Sequence, residues 1–193
     1  MTIFKIVYWL GIIIEMAIRA PLQKTWKAAA KTDQRVSSTE KVLLGILSMV
    51  MFFIPLIYSL TNWLDFADYT LPLWMGWSGV LLLAGALFIF ARAHKDLKTN
   101  WSPTLEIRQD HTLITNGIYR LIRHPMYASQ WLWVIAQILL LQNWLAGPLD
   151  LLFFTFFYVL RVRAEEKMML DTFGDQYRAY MKKTGGVIPR LFG

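Results

Sequence analysis

Five apolar runs, over 3–18, 42–60, 73–90, 126–141 and 149–160, each closed off by polar sequence, are what any fold for this chain must first accommodate. In a bilayer such stretches satisfy their backbone as helices. With 56% of its 193 residues hydrophobic and 17% charged, the chain is too apolar for a soluble domain of this size. The expectation is an all-α integral membrane protein with five transmembrane helices, a single domain over 1–193. Ala17 and Ala20 mimic a signal-peptide cleavage site, but Pro21 would follow the cut and Glu15 and Arg19 interrupt the apolar run, so the first helix is expected to be retained.

The charges set the expected orientation. Of 20 Lys and Arg, only Lys5 falls outside the segments 19–41, 92–124 and 161–193. Those three share one side in a five-span chain, so the N-terminus is expected outside and the C-terminus in the cytoplasm. The net charge of +7 belongs to these membrane flanks, and no nucleic-acid partner is expected. There is no cysteine, which removes thiolate chemistry and disulfides. His94, His111 and His124 do not form a His-Glu-x-x-His run, so no metal is expected, and no glycine-rich phosphate loop is present.

Chemistry concentrates at Asn116–Tyr127, Asn-Gly-Ile-Tyr-Arg-Leu-Ile-Arg-His-Pro-Met-Tyr. Gly117 opens a short helical turn, and Pro125 forces His124 out of the α region. A new helix then starts at Met126, with the N–H groups of Met126, Tyr127 and Ala128 unpaired and suited to a carboxylate. The short connection 142–148 makes the fourth and fifth spans antiparallel. About sixteen helical residues cover roughly 24 Å, which puts Tyr127 and Arg161 at matching depth. Glu106, His111, Tyr119, Arg123, His124, Tyr127, Arg161, Glu165 and Glu166 therefore gather at one membrane face. Arg161 and Glu165, four apart, can hold each other.

Other features read more simply. Glu15 and Arg19 are expected to snorkel as an interfacial pair, and His94 and Lys95 to be solvated. His111, after Asp110, falls in a turn that structure and function would serve equally. Gly76, Gly79 and Gly85 invite close helix contact. Met169, Phe173, Tyr177 and Tyr180 recur at helical spacing beyond the last span, Thr184–Gly186 stops that helix, and 188–192 forms an apolar strap expected to close over the site.

Gly117-Ile118-Tyr119, Arg123-His124-Pro125-Met126-Tyr127, Arg161 with Glu165-Glu166, Phe173-Gly174-x-x-Tyr177-x-x-Tyr180 and Pro189-Arg190 together resemble the isoprenylcysteine carboxyl methyltransferase family, and five spans look like its short prokaryotic members. The resemblance covers the half from Asn100 onward. It implies a membrane enzyme using S-adenosylmethionine, with a cytoplasmic cofactor pocket formed by 100–193 and a lipophilic or lipidated substrate arriving from the membrane lipid. Carried over by motif, the cofactor contacts are His111, Thr112, Leu113, Ile114, Tyr119, His124, Pro125, Met126, Tyr127 and Glu165, joined by Glu106 if a two-residue gap is allowed. Arg161 matches the arginine near the substrate carboxylate. Related enzymes methylate phospholipid amines or small thiols, a sterol-type NADPH reductase shares some of the architecture, and a lipid-binding protein with a degenerate pocket is the non-enzymatic alternative.

Overall fold

The computed structural model describes residues 2–28, 31–34, 38–102, 104–108 and 111–190. Asp110, Leu191, Phe192 and the side chains of 24–37 lie outside the described residues. Helix α1 is Thr2–Ala28, strand β1 Lys31–Gln34, and α2 Ser38–Ser48, which passes through a π-helical turn, Met49–Phe53, into α3, Ile54–Leu60. Then come α4 (Leu73–Leu97), β2 (Glu106–Arg108), a 3₁₀ turn at Gly117–Arg120, α5 (Pro125–Leu141) and α6 (Pro148–Lys183). Counting α2 to α3 as one rod, five long helices carry the all-α fold. β1 pairs antiparallel with β2, Gln34 opposite Glu106.

The expectation of five transmembrane helices is corrected. Among the described residues only two helices, 38–60 and 73–97, are long and apolar enough to cross a membrane. Lys5, Glu15 and Arg19 interrupt α1, α5 is only 17 residues long, and the apolar half of α6 ends at Arg161.

Helix directions follow from their contacts. Phe4 meets Trp77 edge-on, a Cβ on Gly11 would touch Leu83, and Arg19 lies over Phe90, so α1 runs parallel to α4. Ser129 Oγ donates to Ala86 O at 2.9 Å, and Gly79 packs on Leu139 and Leu140, so α5 runs antiparallel to α4. Phe154 meets Trp131 edge-on, and Tyr158 meets Tyr127 the same way, making α6 antiparallel to α5.

The π-helical turn has a local cause. Pro55 has no N–H for Met51 O, and the Ile54 N–H bonds Met49 O rather than Val50 O. Both displaced carbonyls find side chains: Tyr8 Oη donates to Met51 O, and Gln137 Nε2 donates to Val50 O at 3.3 Å. A sequence proline thereby ties α1 and α5 to the second helix.

The glycines separate by environment. A Cβ on Gly79 would lie 2.9 Å from Leu139 Cβ, whereas one on Gly85 would lie 3.7 Å from Leu132. Gly79→Ala is expected to cost about 1–3 kcal/mol through overpacking, and Gly85→Ala to stay within about 0.5 kcal/mol. Thermal unfolding in detergent checks the pair; equal shifts would remove the close α4–α5 approach as the cause.

Candidate active site

Two local conformations position the polar wall. Gly117 has φ +58°, and a Cβ there would overlap the Asp96 carboxylate, which accepts the Ile118 N–H at 2.8 Å. Pro125 opens α5, and His124 sits at φ −123°, ψ 60°, outside the α region. One expected donor is already used: the Ala128 N–H donates to His124 O at 3.0 Å, which leaves Met126 and Tyr127 as the candidate anion-binding N–H groups.

The first turns of α5 face the charged stretch of α6. Tyr127 Oη donates to Glu165 Oε2 at 2.5 Å and accepts from Arg161 Nε at 3.1 Å. Arg161 and Glu165 thus meet on the Tyr127 hydroxyl, which replaces the expected direct pairing. Arg161 Nη1 also donates to Glu40 Oε1 of α2 at 2.5 Å, with both side chains under one-tenth exposed. His124, 4% exposed, bonds Glu166 Oε1 at 3.0 Å and faces Glu165 Oε1 at 3.6 Å. Arg123 reaches the same Glu166 oxygen at 2.9 Å and donates to Thr184 O at 2.5 Å.

Burial works against a charge on His124, but its hydrogen bonds to Glu165 and Glu166 outweigh burial and lift the imidazole to about 9. Glu166 is held down to about 2, chiefly by the His124 hydrogen bond, with Arg123 adding to it against partial burial. Partial burial works against the Glu165 charge, yet His124, Arg161 and Tyr127 keep its carboxyl below the usual range. The site at neutral pH is a set of compensated ions.

All twelve residues named above for cofactor and acceptor line one cavity of about 590 Å³: Glu106, His111 to Ile114, Tyr119, His124 to Tyr127, Arg161 and Glu165. Glu106, on β2, is 3% exposed and accepts from Thr104 Oγ1 at 3.1 Å. The His111 ring lies 6.0 Å from that of Phe173. Glu166 faces Arg123 and His124 behind the wall. His94 is buried, not solvated, with its Nδ1 2.9 Å from Phe90 O.

The described part of the tail, up to Arg190, lies behind the wall at 184–186 and outside the cavity at Ile188. Arg123 N–H donates to Gly185 O at 2.9 Å and His124 N–H to Gly186 O at 3.1 Å, so 184–186 pins the Arg-His-Pro turn from behind. Ile188 is 71% exposed and does not cover the cavity. Tyr177 and Tyr180 do line it, and Tyr180 Oη donates to Tyr119 O at 2.5 Å. α6 reaches them through a break at Gly174, φ +51°.

Sequence reasoning missed Glu40. Its only signal was an acidic residue in the first turn of a helix otherwise flanked by bases. It also misjudged Glu15, which is 7% exposed and lines the same cavity.

The pH dependence follows with its sign. His124 rises from 6.5 to about 9 on folding, so its contribution to stability is complete below pH 6.5 and is lost as pH rises through about 9. Glu166 falls from 4.5 to about 2, so its contribution is present above 4.5 and lost as pH falls through about 2. Melting temperature in detergent is expected to decline on both sides of a slightly acidic plateau, and His124→Gln to flatten the alkaline limb. An alkaline decline unchanged in that variant would assign it to another group.

Comparison with known proteins bears on the same region. Residues 77–171 match the sequence model of the isoprenylcysteine carboxyl methyltransferase (ICMT) family. A protein-S-isoprenylcysteine O-methyltransferase of Schizosaccharomyces pombe is 37% identical over 83 residues, 43% of this chain and 35% of that protein. Its counterpart in Tribolium castaneum is 38% identical over 88 residues, 46% of this chain and 31% of that protein. That of Dictyostelium discoideum is 29% identical over 128 residues, 63% and 52%. The chain therefore spans about a third to a half of the length of these relatives. They are eukaryotic, which overturns the expectation of a short prokaryotic type. A solved structure of the eukaryotic intramembrane Ras methyltransferase ICMT aligns with a TM-score of 0.55 at 25% identity, over 79% of this chain and 50% of that one. With two apolar helices of membrane-crossing length, the chain is an integral membrane protein. The stretch that matches the family model contains the polar wall from Glu106 to Glu165.

Proposed function

We propose that this chain is a single-domain membrane enzyme, with its catalytic half in 100–193, that methylates a lipophilic acceptor from S-adenosylmethionine. The acceptor the relatives' names suggest is the carboxylate of a prenylated cysteine. The observation that carries the reading is the shared cavity: His124, before α5, and Arg161 and Glu165 of α6 line it together with Ile12, Leu47, Met51, Phe52, Phe154 and Phe157. A volume of about 590 Å³ is that of a small-molecule site.

The donor set fits the methyl donor. Glu106 and Glu165 are acceptors for hydroxyl and amino groups, and the N–H groups of Met126 and Tyr127 at the start of α5 suit a carboxylate. Tyr119 and Tyr127 supply aromatic faces, worth roughly 0.5–2 kcal/mol each toward a cation. When bound, S-adenosylmethionine supplies a methyl group on a cationic sulfonium.

An acceptor carboxylate is ionised at pH 7 and needs no base. The work of the protein is then orientation and exclusion of water, where positioning alone contributes on the order of 7 kcal/mol or more. Arg161, held by Glu40 and Tyr127, orients the acceptor through its planar fork. Because Glu40 already balances the charge of Arg161, a phospholipid amine or small thiol is the second reading.

In this reading the basic flanks 92–124 and 161–193 face the cytoplasm. α1 runs parallel to α4, which supports an N-terminus at the end opposite those flanks, outside in this reading.

Calorimetric titration is expected to show binding of S-adenosylhomocysteine and none of NADPH; the reverse would replace transfer by reduction. Arg161→Lys is expected to lower methyl transfer by about 10- to 100-fold, the loss of a charge-assisted contact, while S-adenosylhomocysteine still binds. Equal loss of both would move Arg161 into the cofactor site.

A further inference from the structure

At the end of the bundle away from the charged foot of α6, one cation stands apart. Lys5 is the single Lys or Arg outside the three basic segments, and it is partly buried where α1 packs on α3. Its Nζ donates to Tyr58 O at 3.2 Å and lies 3.6 Å from the centroid of the Tyr58 ring. Neither partner carries a charge, and an ammonium has three N–H donors to place. Among the described residues no carboxylate comes within ion-pair distance of it. Asp65 and Asp68 act on the Tyr58 hydroxyl instead, and Asp68 also accepts from Asn143 Nδ2 at 2.8 Å.

Beside Lys5, α1 and α3 flank a groove of about 400 Å³ that shares no residue with the active-site cavity. Ile6, Leu10 and Ile13 of α1 and Leu56 and Leu60 of α3 form its apolar walls. Trp9 lines it too, with its indole N–H spent on Ser59 Oγ at 2.9 Å. From Lys5 to Ile13 is about 12 Å along α1. The groove therefore has a cation at one end and hydrocarbon along the rest of its length.

Two observations place it in lipid. Ile6, Leu10 and Ile13 are each more than half exposed and continue the outward apolar surface of the membrane-crossing helix 38–60, to which α3 belongs. Trp63, Phe66, Trp74 and Trp144 are all well exposed at the same end, the arrangement that marks a membrane interface. Lys5, level with Tyr58, is then at the height of the headgroups.

We propose that this groove binds an anionic phospholipid of the leaflet opposite the charged end of the cavity, with an acyl chain along Ile6, Leu10 and Ile13 and the phosphate paired with Lys5. The phosphate supplies a counter-ion that the described residues do not, and the ammonium, already held by Tyr58, has little freedom left to lose. A headgroup of net negative charge is favoured over a zwitterionic one, whose own cation offsets the attraction. The site lies outside the cavity and stands or falls apart from the methyl-transfer reading.

The chain has no cysteine, so a single introduced one can carry a bimane fluorophore. Ile13→Cys puts the reporter at the deep end of the groove, and Leu81→Cys, at an exposed position of α4 outside it, is the control. The full chain in detergent is titrated with phosphatidylglycerol or phosphatidylcholine bearing a nitroxide on the acyl chain, which quenches bimane on contact. The label at 13 is expected to be quenched at about fivefold lower mole fraction of phosphatidylglycerol than of phosphatidylcholine, and the label at 81 equally by both. Lys5→Met is expected to abolish the difference at 13, and Lys5→Arg to keep it. Equal quenching by the two lipids at 13, the same preference at 81, or a preference that survives Lys5→Met overturns the site. Loss of the preference in Lys5→Arg as well assigns it to lysine packing and overturns the phosphate pairing. A label at 13 that neither lipid reaches means that protein, such as a second copy of the chain, covers the groove, and overturns the proposal too.

Discussion

Ionised side chains cannot sit at the foot of α6 unless each is met by another. Arg161, Glu165, Glu166, His124, Arg123 and Glu40 are drawn together by that requirement, because a buried charge without a counter-ion costs several kcal/mol. The partners come from three separate stretches. Glu40 arrives from the start of α2, Arg123 and His124 from the turn before α5, and the carbonyls of Met181 and Thr184 from the end of α6. The position of each stretch is therefore set by electrostatics that none of them could satisfy alone.

That constraint shapes the cavity. Glu166 spends its carboxylate on Arg123 and His124 and so locks the Arg-His-Pro turn, which leaves Glu165 and Tyr127 to present their groups inward. Adjacent residues on one helix thereby take different parts, one holding the wall and one lining it. A wall whose ions are compensated before any ligand arrives needs little reorganisation, the condition under which oriented polar groups are most effective.

The local pieces were legible because they rest on single-residue stereochemistry. Pro125 after His124 and the glycine at 117 fix their own backbone, and the short 142–148 connection leaves α5 and α6 little choice but to run antiparallel. The Arg161–Tyr127 bond of 3.1 Å puts those two at one level. What sequence did not give was long-range. Glu40 meets Arg161 across 121 positions, Gln130 meets Glu15 across 115, and β1 after α1 meets β2 after α4. No local pattern encodes such pairs. Ile188, the described apolar residue of the expected strap, lies outward for a related reason: the backbone of Gly185 and Gly186 is taken up behind the Arg-His-Pro turn.

The miscount of membrane spans has the same root as the site itself. A helix that lines a polar cavity must give up apolar length where it does so. α1 carries Glu15 and Arg19 at the cavity, α5 begins with the Arg-His-Pro turn and reaches only 17 residues, and α6 changes from apolar to charged at Arg161. The two helices that keep full apolar length, 38–60 and 73–97, have only 22% and 28% of their apolar windows buried and turn most of that surface outward. Their pocket-facing residues are largely apolar: Leu44, Leu47, Met51 and Phe52 on one, and Phe90 on the other. Full apolar length and a polar lining are alternatives for any one helix in this bundle. The helices that fall short as spans are the ones that line the cavity with charge, while Glu40 of 38–60 meets Arg161 from outside that lining.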